Sequence, residues 1–185
     1  MAYGPVIHGT KVTLRPPRED EIPVLAAMWS DPEVMRHEPG RLAAKPPDWW
    51  EAWLRRQEAN ESAVVWAIDV GGEAIGFVSL RDLEPEDRHA TSAIALFPRH
   101  WGNGYATEAV RLRSCYAFEV LGLEKVRTDT DVDNLAIRHV LEKSGYRTVG
   151  IARRERLRDG EWHDAWYGEL LRDDWLRLVG TGSAM

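Results

Sequence analysis

The chain has 185 residues, of which 44% are hydrophobic and 29% charged, and its formal net charge at pH 7 is −6. These values are typical of one soluble globular domain with a sizeable core. The acidic balance argues against broad affinity for nucleic acid, because phosphate contacts need clustered Lys and Arg. No apolar run has the length of a membrane span, the N-terminal residues lack a signal-peptide core, and the single cysteine, Cys115, cannot form an internal disulfide. We therefore expect a reduced, cytoplasmic setting.

The first half of the chain predicts one short strand, two helices and a hairpin. In chain order these are a strand at 12–14, helices at 20–29 and 48–59 that begin at Asp20 and Asp48, and strands at 64–70 and 74–83. Gly71 and Gly72 between the last two strands are a strong signal for a two-residue hairpin turn.

The second half alternates strands and helices and closes on another hairpin. In chain order it predicts a strand at 91–97, a helix at 105–121 ended by Gly122, a strand at 125–131, a helix from the cap Asn134 to Gly145, and strands at 147–157 and 162–170. Asp159-Gly160 is the hairpin signal, and 180–185 reads as a frayed tail. Periodicity alone gives only an α/β or α+β class.

The most informative segment places Gly102 and Gly104 one residue apart, between an apolar strand and a helix. The first turn of a helix has N–H groups without intrahelical acceptors, and the helix dipole adds positive charge there. The natural ligand is a phosphate or pyrophosphate, although a tight strand-to-helix turn needs the same glycines for backbone reasons. Neither Gly-x-x-x-x-Gly-Lys-Ser/Thr nor Gly-x-Gly-x-x-Gly is present, which disfavours the usual nucleotide-triphosphate and dinucleotide loops.

Residues 101–106, Trp-Gly-Asn-Gly-Tyr-Ala, resemble the Gln/Arg-x-x-Gly-x-Gly/Ala motif with which GNAT N-acetyltransferases hold the pyrophosphate of acetyl-CoA. Residues 133–146 are similar to the superfamily's second motif, an Asn, a short helix and Lys-x-Gly-Phe/Tyr. The segments 9–16 and 159–164, with Asp173-Asp174-Trp175 behind them, resemble the two ends of the branch named for ribosomal-protein N-acetyltransferases.

This resemblance covers about residues 8–178, with 1–7 and 179–185 as terminal tails. It implies a single-domain α/β (α+β) GNAT fold, in which about four helices flank a mixed, mostly antiparallel sheet that splays open. It also implies acetyl-CoA as a cosubstrate, no metal, and an amine as the acceptor. Neither nucleic acid nor a membrane is an expected partner, and a homodimer is left open.

The resemblance also implies which residues hold the coenzyme. The pantetheine arm would pair with the strand backbone near Leu96 and Phe97, as an added strand does. Loop N–H groups would hold the pyrophosphate, and the full set is Leu96, Phe97, Trp101, Gly102, Asn103, Gly104, Tyr105, Ala106, Thr107, Asn134 and Lys143. Trp101 replaces the family's Gln or Arg, which removes a polar contact but not the backbone cradle. Asn134 is also a helix cap, and Lys143 is better explained as a solvent-exposed lysine at a helix end.

Direct transfer requires that an amine lose a proton, attack a thioester and release a thiolate that gains one. No covalent enzyme intermediate is needed, so Cys115 is interpreted as a small buried side chain. Many relatives use a tyrosine as the acid where this chain has Leu141, which leaves Tyr146, a water or the thiolate itself. Asp131, on the same strand face as Asp129, is the candidate base, and a structural role or a water-mediated base is the alternative.

Two acceptor classes fit the sequence: the N-terminal α-amine of a protein, and a small amine such as an aminoglycoside, polyamine or amino-acid derivative. Candidate pocket residues are Trp29, His37, Glu38, Trp162, Asp164 and Trp166. Trp49, Trp50 and Trp53 are interpreted as packing residues. An acyl-CoA-binding module without turnover is an alternative because the family's Tyr and Glu are missing. A longer acyl donor such as succinyl-CoA is also open.

Overall fold

The computed structural model describes residues 3–36, 46–158 and 160–180, and within them the strands form one eight-stranded sheet. The strands are β1 (Ile7–His8), β2 (Thr13–Arg15), β3 (Val64–Val70), β4 (Glu73–Glu84), β5 (His89–Leu96), β6 (Lys125–Asp131), β7 (Arg147–Arg158) and β8 (Glu161–Leu171). Their order is β1-β2-β3-β4-β5-β6-β8-β7. Among these neighbours β5 and β6 run parallel and the other pairs run antiparallel.

Helices pack on both faces of the sheet, so each face has its own core. They are α1 (Ile22–Ala27), α2 (Pro32–Met35), α3 (Pro47–Gln57), α4 (Tyr105–Cys115), α5 (Leu135–Lys143) and α6 (Arg172–Gly180). One core includes Phe118, Leu141 and Trp175 from the α4, α5 and α6 side. The other includes Leu25 and Leu54 from α1 and α3. A sheet with two apolar faces must be covered on both sides, which gives three layers.

The mixed, mostly antiparallel α/β fold is confirmed, and several elements differ from the prediction. The short strand β1 and the short helix α2 form where neither a strand nor a helix was expected. The helix expected at 20–29 is divided into α1 and two 3₁₀ turns, since Pro23 lacks an N–H and suits only a first turn. The helix expected at 105–121 is α-helical to Cys115 and continues as one π-helical turn. Helix α6 was not predicted, although its acidic first turn and buried Trp175 are signals for it.

Candidate active site

Strands β5 and β6 separate after a short paired stretch. Their register ends at Thr91 and Arg127, whereas β5 continues to Leu96 and β6 to Asp131. The N–H of Phe97 donates to the carbonyl of Ile75 at 3.0 Å. Because the N–H and C=O of one residue point to the same edge of a strand and alternate edges from residue to residue, the N–H and C=O groups of Ile94 and Leu96 face the gap. This edge has the form that an amide-bearing chain can join as an added strand.

The polar groups of Phe97 and Leu96 are only partly available to such a chain. The N–H of Phe97 pairs with β4, and its carbonyl accepts from the N–H of His100 at 2.9 Å. The carbonyl of Leu96 accepts from the indole N–H of Trp101 at 2.9 Å. We therefore expect a pantetheine arm to pair with the N–H of Leu96 and with the N–H and C=O of Ile94. Phe97 contributes apolar surface instead of hydrogen bonds.

The loop after β5 leaves the start of α4 open. Gly102 and Gly104 have φ values of 79° and 80°, in the left-handed region that favours glycine, and no side chain caps α4. A Cβ on Gly102 would meet no atom within 4 Å, and one on Gly104 would meet only the Nζ of Lys11, at 3.1 Å. The first-turn N–H groups are therefore accessible, and the loop fits a pyrophosphate.

Two side chains of the loop donate hydrogen bonds to nearby backbone carbonyls. Trp101 is 49% exposed and donates to Leu96, so the residue that replaces the family's Gln or Arg holds the loop against the end of β5. The amide of Asn103 donates to the carbonyls of His100 and Trp101 at 3.2 and 3.0 Å. Both residues hold the backbone of the loop in place while its N–H groups remain free for a ligand.

Glu108, in the first turn of α4, is a functional candidate that the sequence did not reveal. Its carboxylate accepts from the N–H and hydroxyl of Thr10 and from the N–H groups of Lys11 and Val12, at 2.6–2.9 Å. Burial opposes its charge, but these hydrogen bonds outweigh burial and lower the pKa of Glu108. The turn between β1 and β2 is thereby fixed to the start of α4, and it brings Lys11 to the glycine loop.

Helix α5 carries two of the predicted coenzyme residues at its opposite ends. The side chain of Asn134 accepts from the N–H of Ile137 at 3.4 Å and donates to Thr130 at 3.2 Å, so its predicted capping role is confirmed. Lys143 is exposed, and its carbonyl accepts from Arg111 at 2.9 Å. Contact of either side chain with the coenzyme stays a prediction.

The hydroxyl of Tyr146 is buried in the core and is linked to β5 through Arg113. It accepts a hydrogen bond from the guanidinium of Arg113 at 2.8 Å, and Arg113 also donates to the carbonyl of Ala93 on β5 at 3.3 Å. Arg113 and Tyr146 are 0% and 3% exposed. Since the hydroxyl accepts this bond, its own proton is left for another partner, and its role as the acid stays a prediction.

Asp131 is fully buried at the end of β6 and is paired with two arginines. Its two carboxylate oxygens lie 2.9 Å from Arg156 and 2.7 Å from Arg158, and Arg156 also contacts Asp129. Arg158 donates in addition to the carbonyl of Arg36 at the end of α2. Both oxygens of Asp131 are thus engaged by guanidinium groups, and the side chain is 0% exposed, so the geometry disfavours proton transfer from an amine to Asp131.

A bulge in β7 directs these arginines toward β6. The register of β7 and β8 shifts between Ala152 and Arg156, and Arg154 within the bulge has a φ of 53°. The N–H of Arg154 donates to the carboxylate of Asp164 at 2.8 Å. Asp164, predicted to line the acceptor pocket, therefore stabilises the bulge, and any contact with an acceptor stays a prediction.

The tryptophans predicted to line the pocket lie in three different places. Trp29 is 5% exposed and stacks on Trp50 at 4.2 Å, in the core between α1 and α3. Trp166 is 0% exposed in the opposite core, where its N–H donates to Thr148 at 2.9 Å, so it has no surface from which to contact an acceptor. Trp162 is 56% exposed near the β7–β8 turn. His37 and Glu38 lie outside the described residues.

The described part of the chain contains neither a metal site nor a membrane-spanning helix. It holds no group of three or more His, Cys, Asp or Glu side chains arranged to bind a metal ion. None of its helices is long and apolar enough to cross a bilayer.

Comparison with known proteins agrees with this geometry. Residues 11–147 match the family model described as an acetyltransferase (GNAT) domain. The spermidine N(1)-acetyltransferase of Escherichia coli (strain K12) is 26% identical over 164 residues, which are 87% of this chain and 85% of that protein. The "Putative ribosomal N-acetyltransferase YdaF" of Bacillus subtilis (strain 168) is 33% identical over 129 residues, 70% of this chain and 68% of that protein.

A solved structure supports the same fold. The spermidine N-acetyltransferase of Vibrio cholerae in complex with CoA and spermine superposes with a TM-score of 0.81 at 21% identity, over 91% of this chain and 99% of that one. The chain belongs to the GNAT acetyltransferase family. It is an acetyl-CoA-dependent N-acetyltransferase, and its relatives include enzymes named for spermidine and for ribosomal proteins.

Proposed function

We propose that this enzyme transfers an acetyl group directly to the N-terminal α-amine of a protein, with the coenzyme held by the glycine loop and the free edge of β5. The observation that supports the coenzyme's position is the coincidence of two features at one strand end. The gap beside Leu96 and the open first turn of α4 follow each other in the chain. One extended ligand with amides at one end and phosphates at the other fits both.

Different groups of the chain would bind different parts of this ligand. The N–H groups of residues 102–107 would hold the pyrophosphate, and the N–H of Leu96 with the N–H and C=O of Ile94 would pair with the pantetheine amides. Bound acetyl-CoA supplies the acetyl group as a thioester. An N–H on the gap side of β5 is placed to stabilise the negative charge that develops on the thioester oxygen when an amine attacks it.

In this proposal the amine gives its proton to water and not directly to Asp131. Asp131 is enclosed by Arg156 and Arg158, so its geometry favours a positioning role over direct proton acceptance. Through Arg158 it links β6 to β7 and to the end of α2. We propose that this network holds the acceptor end of the gap in shape. Tyr146 is the candidate acid, and its hydroxyl is linked to β5 through Arg113, which also donates to the carbonyl of Ala93.

The charge of the same network favours a protein terminus over a polyamine. Asp129 and Asp131 are the carboxylates at the end of β6, and both are paired with arginines. A polyamine carries several ammonium groups and is best held by carboxylates without such partners. A protein α-amine has an ordinary pKa near 8, far below that of an aliphatic amine, and needs little help to deprotonate.

A panel of acceptors read by release of free thiol from acetyl-CoA tests this proposal. We expect kcat/KM for unblocked peptides to exceed that for spermidine at least tenfold, and an N-terminally blocked peptide without lysine to be inactive. Faster turnover of spermidine than of every peptide would overturn the acceptor class and leave the N-acetyltransferase assignment intact.

A further inference from the structure

The ammonium group of Lys11 lies at the entrance to the glycine loop, 92 residues away from it in sequence. Its Nζ is 3.4 Å from the carbonyl oxygen of Asn103. A Cβ built on Gly104 would lie 3.1 Å from the same Nζ. Typical N–H···O bonds span about 2.7–3.2 Å, so this contact with Asn103 is a weak one. The ammonium is therefore placed at the loop without a strong acceptor there.

Glu108 fixes the backbone that carries Lys11. Three N–H groups and one hydroxyl of the β1–β2 turn donate to its carboxylate, among them the N–H of Lys11 at 2.7 Å. A Cβ on Gly9 would lie 2.8 Å from the carbonyl of Val12 and 3.0 Å from the carboxyl carbon of Glu108, so the turn packs closely on α4. Lys11 therefore occupies a defined position beside the helix start.

The ammonium of Lys11 adds positive potential at the start of α4, which the carboxylate of Glu108 offsets only in part because its oxygens are engaged by the β1–β2 turn. The start of an α-helix carries about half a positive charge, and the N–H groups of the glycine loop add to it. The ammonium of Lys11 adds a full positive charge beside Asn103 and Gly104. A diphosphate between the loop N–H groups and the ammonium of Lys11 is attracted from both sides.

We infer that Lys11 binds the pyrophosphate of coenzyme A, on the opposite side from the N–H groups of the loop. This inference rests on the proposed function, which places the pyrophosphate at Gly102 and Gly104. The pyrophosphate is favoured over the 3′-phosphate because Nζ lies over Gly104, the residue that caps α4. Glu108 is a positioning residue that acts through the turn.

Calorimetry on the full chain tests the inference with Lys11→Met and Lys11→Arg. Lys125→Met is the matched control, because Lys125 begins β6 at the end remote from the gap. We expect Lys11→Met to raise the Kd for both CoA and dephospho-CoA about 5- to 10-fold and to flatten the salt dependence of binding. Lys11→Arg should recover most of the affinity. With S-acetylpantetheine, which has no phosphate, kcat/KM should be equal in wild type and Lys11→Met.

Each other outcome overturns the inference. If wild type binds CoA and Lys11→Met binds it with the same Kd, the inference about Lys11 is wrong and the proposed function is unaffected. A loss with CoA that disappears with dephospho-CoA assigns Lys11 to the 3′-phosphate. An equal loss with S-acetylpantetheine, or a lower melting temperature of the ligand-free variant, indicates a structural role. Absence of wild-type binding to CoA would overturn the proposed function and the inference with it.

Discussion

The carboxylate of Asp131 and the guanidinium of Arg158 lie 2.7 Å apart, with side chains that are 0% and 5% exposed. Asp131→Asn would leave Arg156 and Arg158 buried without this counter-charge. Breaking a buried ion pair by removing one partner costs about 3–5 kcal/mol. We expect the variant to lose stability of this order in urea denaturation, and kcat/KM to fall by a similar factor at pH 7 and pH 9.

Asp129→Asn is the control, because the Asp129 side chain is 34% exposed and its ion pair is with Arg156, which also contacts Asp131. Its effect on stability should be smaller. A kcat/KM loss for Asp131→Asn of roughly 100-fold at pH 7 that largely disappears at pH 9 would identify Asp131 as a general base and contradict the positioning role.

Elements and motifs that depend on neighbouring residues were predictable, and contacts between distant segments were not. The strand β5, the glycine loop and the cap at Asn134 are local patterns, so periodicity and motif identify them. The bond between Lys11 and Glu108 joins residues 97 positions apart through a turn with no motif of its own. Arg156 and Arg158 contact Asp131 from the part of β7 that follows a bulge, and the sequence has no signal that fixes the register there.

Gly104→Val should abolish binding of acetyl-CoA. A branched residue is strained at a φ of 80°, and its side chain would enter the space between the loop and Lys11. The expected result is a melting temperature that no longer rises with acetyl-CoA, as it must for a ligand of the native state. Gly150→Ala is the control, because a Cβ there meets nothing within 4 Å. A folded Gly104→Val protein with unchanged affinity would show that the loop does not hold the coenzyme.

Glu108→Gln should destabilise the protein at neutral pH and much less in acid. The folded pKa of Glu108 lies below its ordinary value, so its stabilising contribution is present above about pH 4.3 and is lost as the pH falls through the lower folded value. We expect a loss of about 1–3 kcal/mol at pH 7 in urea denaturation, and a smaller loss near pH 3.5. The exposed Glu61→Gln is the control. An equal penalty at both pH values would show that packing of the turn, not the charge, is what matters.

Tyr146→Phe should reveal whether the hydroxyl has a chemical role beyond its contact with Arg113. Loss of the hydroxyl removes one acceptor of a fully buried guanidinium, with a cost of about 1–3 kcal/mol in urea denaturation. If Tyr146 protonates the leaving thiolate, kcat should also fall by roughly 100-fold while the Kd for CoA is unchanged. An unchanged kcat would assign this proton to water.

Cys115→Ala should leave turnover within about twofold of wild type, because direct transfer needs no acyl-cysteine. Burial, followed by the hydrogen bond to Glu119, raises the pKa of the Cys115 thiol to about 11, so thiolate is scarce at neutral pH. Cys115 also ends α4, whose 11 residues place it about 15 Å from the glycine loop. Alkylation by iodoacetamide should be slow at pH 7 and accelerate toward pH 11. Recovery of a labelled acetyl group on Cys115 in peptide mass spectra would contradict direct transfer.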